Sequence, residues 1–263
     1  VLFKRSIALN KIGKMRIFLV RHGESLGDVD YKNYEKFNDH KVPLSQWGYE
    51  QAMDAGKHIK AYYEAHPECK NNRLKIYHSP FLRAKQTTDG VVHALGGSNV
   101  DEVKENFLLK EQDWGMFNHI WNFEDQEKLF PLEKERFDDQ RKHEGAFYAK
   151  PPLGEARADV AHRALSFKAN FIDSGKLAEN EDIIVVGHGV LNRALEMVMT
   201  DKNVDWFEKE PNPGNTDITL LEGSPEKGFT ATPLYKGKTR PEMLPRDYKA
   251  APHGEAQAES ISR

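Results

Sequence analysis

A single cysteine, Cys69, among 263 residues leaves no partner for an internal disulfide. That absence fits a reducing compartment, and the cytoplasm is the expected location. Long hydrophobic runs are missing too. No apolar stretch approaches the roughly 20 residues that cross a bilayer, so no membrane partner is expected. Val1 to Asn10 includes apolar side chains, but Lys4, Arg5, Lys11 and Lys14 interrupt the start of the chain. Without a continuous hydrophobic segment or a small-residue cleavage site, a secretory leader is not expected. Neither sign of charge dominates: 38 Lys and Arg stand against 41 Asp and Glu, a net charge of −3. That balance gives no electrostatic case for nucleic acid as a partner. No internal repeat is visible. What remains is a chain long enough for one large domain with an insertion, and its 30% charged residues imply a soluble, highly charged surface.

What the chain does have is alternation. Met15-Arg-Ile-Phe-Leu-Val20, Leu74-Lys-Ile-Tyr77, Asp182-Ile-Ile-Val-Val186 and Asp217-Ile-Thr-Leu-Leu221 are short apolar runs of the kind that form buried strands. Between them, Tyr49 to Ala65 sets Ala52, Ala55, Gly56, Ile59 and Tyr63 on one helical stripe. Phe81 to Leu95 reads as a helix stopped by Gly96-Gly97, and further helices are expected from Ala156 to about Asp173 and from Val190 to Thr200. Short strands divided by helical crossovers predict an α/β fold, a three-layer sandwich with a mostly parallel central sheet flanked by helices.

Residues 116–152 break this rhythm. They are dense in charge and in aromatic residues (Phe117, Trp121, Phe123, Phe130, Phe137, Phe147 and Tyr148) and end at Pro151-Pro152. We read them as an inserted, mainly helical cap whose aromatic side chains need burial. The expected organisation is an N-terminal extension over 1–14, a domain over 15–238 that carries the cap, and a polar, flexible tail over 239–263.

Two strands end in similar chemistry. Arg21-His22-Gly23-Glu24 follows one, and Gly187-His188-Gly189 follows another. In open α/β sheets, ligands bind at the carboxyl ends of strands. Two strand-end histidines, one beside an arginine, therefore read as halves of one phosphate site. Taken singly, each histidine has plainer readings, as a hydrogen-bonded structural residue or as a metal ligand. The blocks lack further ligands at zinc spacing, so no metal is expected. His58, His78, His119 and His162 keep the structural reading.

Arg21-His22-Gly23-Glu24-Ser25 resembles the opening signature of the histidine phosphatase superfamily, in its phosphoglycerate mutase-like branch. Three more blocks arrive in that family's order. Ser79-Pro80-Phe-Leu-Arg83-Ala84-Lys-Gln86-Thr87 resembles its second arginine motif, Leu109-Lys-Glu111-Gln-Asp-Trp-Gly115 its acid motif, and Val186-Gly-His188-Gly189 its second histidine motif. The resemblance runs from about Met15 to Leu221. It implies a phosphohistidine mechanism, which the residue types support chemically. A neutral His22 can attack phosphorus and split hydrolysis into two easier steps. Arg21 and Arg83 can hold the phosphoryl oxygens in planar, multidentate contacts, with His188 as a further donor. Glu111 can protonate the leaving alkoxide and then accept a proton from water. These groups supply the positive charge a metal gives elsewhere, so no cofactor is implied. The implied partner is a small phosphorylated substrate.

Ser25, Gly189 and Asn215, the last in Pro213-Gly-Asn215-Thr216, are further candidate substrate contacts, and Glu24 reads as a brace for Arg21. Some positions depart from the family pattern. Three residues past Ser25 many members carry an asparagine that donates to phosphate; here it is Asp28, also a candidate contact. A carboxylate there either lies outside the contact shell or alters substrate preference or pH dependence. Glu155, in Gly154-Glu155-Ala156, is a competing carboxylate expected to cap or position the next helix, with Ala156 in place of the usual serine. Glycolytic mutases read Glu-Arg-His-Tyr-Gly at the acid motif and follow it with paired arginines. Glu111-Gln-Asp-Trp-Gly115, with Phe147-Tyr148 before Pro151-Pro152, is more similar to the broad-range acid phosphatase-like group. The expected function is phosphomonoester hydrolysis. The alternatives are a phosphoglycerate mutase-type phosphotransferase and a phosphate-recognising interaction module with little turnover.

Overall fold

Seven residues, Met15–Arg21, form the first strand, β1, and all but Arg21 are buried. A computed structural model describes residues 14–97, 99–120, 122–174, 177 and 180–241. The other strands are β2 (Arg73–His78), β3 (Val100–Glu105), β4 (Glu181–Gly187), β5 (Ile218–Ser224) and β6 (Gly228–Tyr235). They build one six-stranded sheet in the order β3-β2-β4-β1-β5-β6. Pairing is parallel from β3 through β1 and antiparallel on both sides of β5. The sheet is therefore mostly parallel. β4 is buried along its whole length, as a central parallel strand covered on both faces must be.

The helices in chain order are α1 (Leu26–Val29), α2 (Asn33–Lys36), α3 (Gln46–Ala65), α4 (Leu82–Leu95), α5 (Phe123–Leu129), α6 (Pro131–Glu144), α7 (Arg157–Phe167), α8 (Gly189–Met199) and α9 (Val204–Lys209). Side chains alternate across the sheet, which divides the core in two. Ile17, Leu19, Ile183 and Val185 pack with Ala164 and Phe167 of α7 and with Leu191 and Leu195 of α8. Phe18, Val20, Ile184 and Val186 pack with Ala55 and Ile59 of α3 and with Ala84 and Val91 of α4. These are the three expected layers.

The differences lie at the edges. β3 and β6 form the two borders of the sheet and escape prediction because neither is an apolar run. β3 reads Val-Asp-Glu-Val-Lys-Glu, and β6 carries Pro233. Charge and proline are what keep an open edge from pairing with another chain. The helix expected to reach about Asp173 leaves α-geometry at Phe167 and continues as a wider turn over Lys168–Ile172.

In the 116–152 segment, Phe117 and Phe137 form a small core with Ala149, against which Trp114, Met116 and Phe130 pack. Phe147 joins the main core against Phe207. Phe123 and Tyr148 correct the expectation that every aromatic there is buried: both are exposed. Each uses its ring locally instead, Phe123 under the Lys134 ammonium and Tyr148 edge-on to Phe147. Trp121, residues 1–13 and the tail beyond Pro241 lie outside the described residues, as do the expectations attached to them. Among the described residues no helix is long and apolar enough to cross a membrane.

Candidate active site

The parallel register of β1 on β4 sets Arg21 opposite Gly187, so the chain leaves both strands at one level. The His22 N–H donates to the Gly187 carbonyl at 3.0 Å. The rings of His22 and His188 follow with centroids 5.2 Å apart. β2 brings the third strand end, since the Ser79 N–H donates to the Val186 carbonyl at 3.0 Å. Residues distant in sequence thus meet because three neighbouring parallel strands stop together.

The loop after β1 lies directly on the first turn of α3. A Cβ on Gly23 would sit 2.2 Å from the Gly48 carbonyl oxygen, and one on Gly48 2.0 Å from that of Glu24. No side chain fits at either position. The loop's N–H groups are taken up by helix side chains: Gly23 donates to Thr87 Oγ1 at 3.0 Å and Glu24 to Gln51 Oε1 at 2.8 Å. Gln86 similarly accepts from Leu44 N–H at 2.7 Å. The Gln86-Thr87 pair is therefore scaffold for the loop that presents His22.

His22 is buried, and its Nδ1 lies 2.7 Å from the carbonyl of Gly23. A carbonyl only accepts, so Nδ1 carries the hydrogen and Nε2 of the neutral ring keeps its lone pair. Burial is the main force holding that ring neutral. The cations of Arg83 and Arg21 add to it, outweighing the attraction of Asp28, and the pKa falls to about 3. His188 is fully buried and lies with Nε2 2.7 Å from Ser79 Oγ. Ser79 Oγ also accepts the Phe81 N–H and has one hydrogen to give; donated to Nε2, it leaves the ring proton of His188 on Nδ1. Burial, then Arg83, His22 and Arg21, push His188 well below the ordinary histidine range. A bound anion would favour its protonated form.

The two arginines are held from behind. Arg21 Nη1 donates to the Pro213 carbonyl at 2.7 Å, and Nη2 faces Asp28 Oδ1 at 3.5 Å. Arg83 Nη1 donates to the backbone and side-chain oxygens of Asp39, at 2.7 and 2.9 Å, with its guanidinium over the Phe81 ring. Arg21 Nε, Arg83 Nε and His188 Nδ1 are all buried and have no hydrogen-bond partner among the described residues. Buried donors are otherwise nearly always satisfied, so three unmet ones around a neutral histidine mark a place for an anion's oxygens.

Glu111 sits at the opening of α8, accepting from the Val190 and Leu191 N–H groups at 3.2 and 3.3 Å and from Gln112 N–H at 2.9 Å. Gly189 is the first residue of that helix. Glu155, the competing carboxylate, is consumed elsewhere. It takes the Arg163 guanidinium through Nε at 3.0 Å and Nη2 at 2.9 Å, and it accepts from Asp113 N–H at 3.1 Å. Glu155 thereby ties the acid segment to α7, while the expected cap of that helix comes from Asp159, which accepts the Ala156 N–H.

Ser25 is fully buried and is the N-cap of α1. Its hydroxyl donates to Asp28 Oδ2 at 2.8 Å and accepts the Asp28 N–H. Asn215 donates to the His22 carbonyl at 3.2 Å and to Asp28 Oδ2 at 3.3 Å, fastening its loop to the end of β1. Glu24 does not brace Arg21. It pairs with Arg240 at 2.6 Å and accepts from Ser45 Oγ at 2.7 Å, because the loop turns its carboxylate towards α3 and the segment after β6.

Beside Glu111 a cavity of about 350 Å³ opens, with Asp39, His40, Phe81, Lys110, Asn118 and His119 on its walls. Sequence reading missed most of this side. Ser79 stood within a recognisable block and could have been assigned, whereas Asp39 lies in a polar stretch with no periodicity to mark it.

A neutral histidine at the carboxyl edge of a parallel sheet, with arginines beside it, is an arrangement suited to holding an anion. The sequence places the chain further. The profile of the histidine phosphatase superfamily (branch 1) matches residues 17–232, and the chain belongs to that superfamily. Phosphoglycerate mutase-like protein AT74 of Arabidopsis thaliana is 33% identical over 222 residues, covering 81% of this chain and 66%, just under two thirds, of that protein. Broad-range acid phosphatase DET1 of Saccharomyces cerevisiae is 27% identical, covering 78% of this chain and 84% of its own length. Among solved structures, YhfR of Bacillus stearothermophilus superposes with a TM-score of 0.62 at 23% identity, over 83% of this chain and 96% of that one, and so shares the fold.

Proposed function

We propose that the protein is a metal-independent phosphomonoester hydrolase acting through a phosphohistidine on His22. One observation carries this reading: His22 is neutral, its Nδ1 is tied to the Gly23 carbonyl, and unmet donors of Arg21, Arg83 and His188 stand around it. Nε2 attacks phosphorus, the bond to the ester oxygen breaks, and that oxygen leaves with the bonding electrons and a proton from Glu111. Water then attacks the phosphohistidine, gives its proton to Glu111, and inorganic phosphate departs. The arginines and His188 match the charge on the transferring oxygens. Glu111 suits the proton role better than Glu155, whose oxygens are held by Arg163. The cavity beside Glu111 would take the leaving group, and its mixture of amide, imidazole, ammonium and aromatic groups suits a polar, hydroxylated one. The buried, unpaired Cys69 is compatible with a cytoplasmic enzyme.

Hydrolysis is favoured over mutase chemistry by the acid segment. Gln112 and Asp113 stand where glycolytic mutases carry arginine and histidine. Here they are occupied internally, Gln112 on the Glu155 carbonyl and Asp113 on Gly115 N–H and Asn118. The family resemblance to acid phosphatases accords with mildly acidic operation. A panel of phosphomonoesters assayed with EDTA present, from about pH 4 to about pH 8, tests the proposal. We expect phosphate release that His22→Ala abolishes; no release on any ester across that range overturns it. Interconversion of 2- and 3-phosphoglycerate faster than phosphate release would establish the mutase instead.

A further inference from the structure

The hydrolysis scheme leaves one carboxylate of the cradle without a task. Asp28 Oδ1 faces Arg21 Nη2 at 3.5 Å, and Oδ2 accepts from Ser25 N–H at 2.8 Å and from Asn215 Nδ2 at 3.3 Å. It also interacts with His22, whose protonated form it would favour, and Arg83 and Tyr34 feel its charge. The groups facing it therefore come from every side. Arg21 and His22 belong to the end of β1, Ser25 to the cap of α1, Tyr34 to α2, Arg83 to α4 and Asn215 to the loop before β5. Asp28 stands among the same cations that would hold a phosphate, with its own negative charge turned on one of them.

We infer that Asp28 couples anion binding to the uptake of one proton, so that the cradle accepts a dianion readily only as Asp28 becomes neutral. The inference rests on reading this cradle as the phosphate site and adds a pH-dependent gate to it. In this structure burial favours the neutral form of the carboxyl, but any proton on His22, the Arg21 guanidinium and the Ser25 hydrogen bonds oppose it, and the carboxyl lies below the usual range. A dianion arriving at Arg21 weakens that attraction and adds repulsion between like charges, both of which raise the proton affinity of Asp28. The balance is simple. Charged Asp28, a dianion and one solvent proton give neutral Asp28 and the bound dianion, with no other bond made or broken. A neutral Asp28 also gains an O–H that can donate to the anion, which the carboxylate cannot do. An asparagine at this position would offer a donor without the proton. Asp28 thus biases the site towards acid.

Sulfate separates this from the ordinary titration of a phosphate ester, because its charge is constant across the useful range. Binding of sulfate to the full chain is measured by calorimetry from about pH 5 to about pH 8, in buffers of different ionisation enthalpy, for wild type, Asp28→Asn and Asp28→Ala. Because His22 feels the Asp28 charge, the comparison is repeated in a His22→Asn background, where any proton taken up by that ring is removed from every count. Because the free carboxyl lies below its usual range, uptake is greatest at the acid end; there we expect both variants to take up fewer protons than wild type, by up to about one, and their affinity to fall with pH less steeply by up to about tenfold per unit. Asp28→Asn should bind sulfate at least about tenfold tighter than wild type near pH 8. Asp28→Ala controls for the α1 cap, since it removes the cap acceptor and the charge together, whereas Asn keeps an acceptor. Equal proton uptake in the three proteins, or no sulfate binding to any of them, overturns the inference. A shifted proton count without ester turnover sinks the hydrolase reading alone. Normal hydrolysis with an unshifted count sinks this inference alone.

Discussion

The two walls of the site are built differently. On the phosphate side, His22 and His188 follow adjacent parallel strands and are buried, with their rings fixed by the Gly23 carbonyl and the Ser79 hydroxyl. On the leaving-group side, the walls come from the segment around α2 and from the 110–119 stretch. They carry Asp39, His40, Lys110 and His119, and no strand runs through either. A wall set by sheet register is rigid because displacing it breaks a ladder. A wall of short turns is held by side-chain contacts instead, from the paired bonds of Arg83 on Asp39 to the single bond of His119 Nδ1 on the Tyr34 carbonyl at 3.0 Å. Under the proposed hydrolysis, the sheet places the transfer chemistry and the irregular segments offer the surface on which selectivity can vary.

If that division holds, the largest losses come from the sheet side. His22→Ala should lower kcat by about 10⁴-fold or more on every ester, and acid quenching of wild type with labelled substrate should trap a phosphoenzyme that the variant lacks. Retention of a few per cent of activity would break the comparison at its strong end. The same ring sets an acid sensitivity. Its folded pKa, about 3, lies below the value of 6.5 for a free histidine, so between those values the unfolded chain binds more protons. Stability should then decline as pH falls through that window, by up to several kcal/mol, and His22→Asn should flatten the decline. Thermal melts of both proteins from about pH 7 to about pH 4 check the sign.

Next in size is Arg83→Gln, expected to reduce kcat/KM by about 10² to 10³-fold with activated and poor leaving groups alike, because the guanidinium would hold the transferring group in either case. Glu111→Gln should divide the substrates instead. An alkyl phosphate, whose alkoxide needs a proton to leave, should lose about 10² to 10³-fold more than an activated aryl phosphate, whose phenoxide does not. Equal losses would remove Glu111 from proton transfer and return attention to Glu155.

Legibility followed the same division. β1, β2 and β4 are apolar runs, so their ends could be found, and the motifs at those ends named His22, Arg21 and His188 before any coordinates. α3 showed its stripe because it packs on the sheet, and α4 was marked by the Gly96-Gly97 stop at its end. β3 and β6 were invisible since an edge strand must carry polar groups outward, and their sequences look like loop. Asp28 was noticed only as a departure, since a carboxylate's neighbours decide its role and sequence does not list them. Asp39 was missed for the same reason. Phe123 and Tyr148 misled in the other direction: an aromatic count argues for burial, but a ring on a charged helix or at a turn can remain outside.

The smallest effect probes the weak end of the comparison. His119 is exposed and spans the cavity rim by one bond to the Tyr34 carbonyl, so water replaces much of what His119→Ala removes. Stability should change by no more than about 0.5 kcal/mol, and kcat for a small activated aryl phosphate by less than about twofold. For esters whose leaving group reaches the cavity, KM should rise by up to about tenfold, most for hydroxylated leaving groups that can bond to imidazole. The informative quantity is the ratio of kcat/KM between a hydroxylated and a plain alkyl phosphate, in wild type and variant. A ratio that shifts with kcat for the aryl ester unchanged assigns selectivity to this wall. If both esters lose equally, His119 serves the phosphate side after all, and the two walls are energetically one.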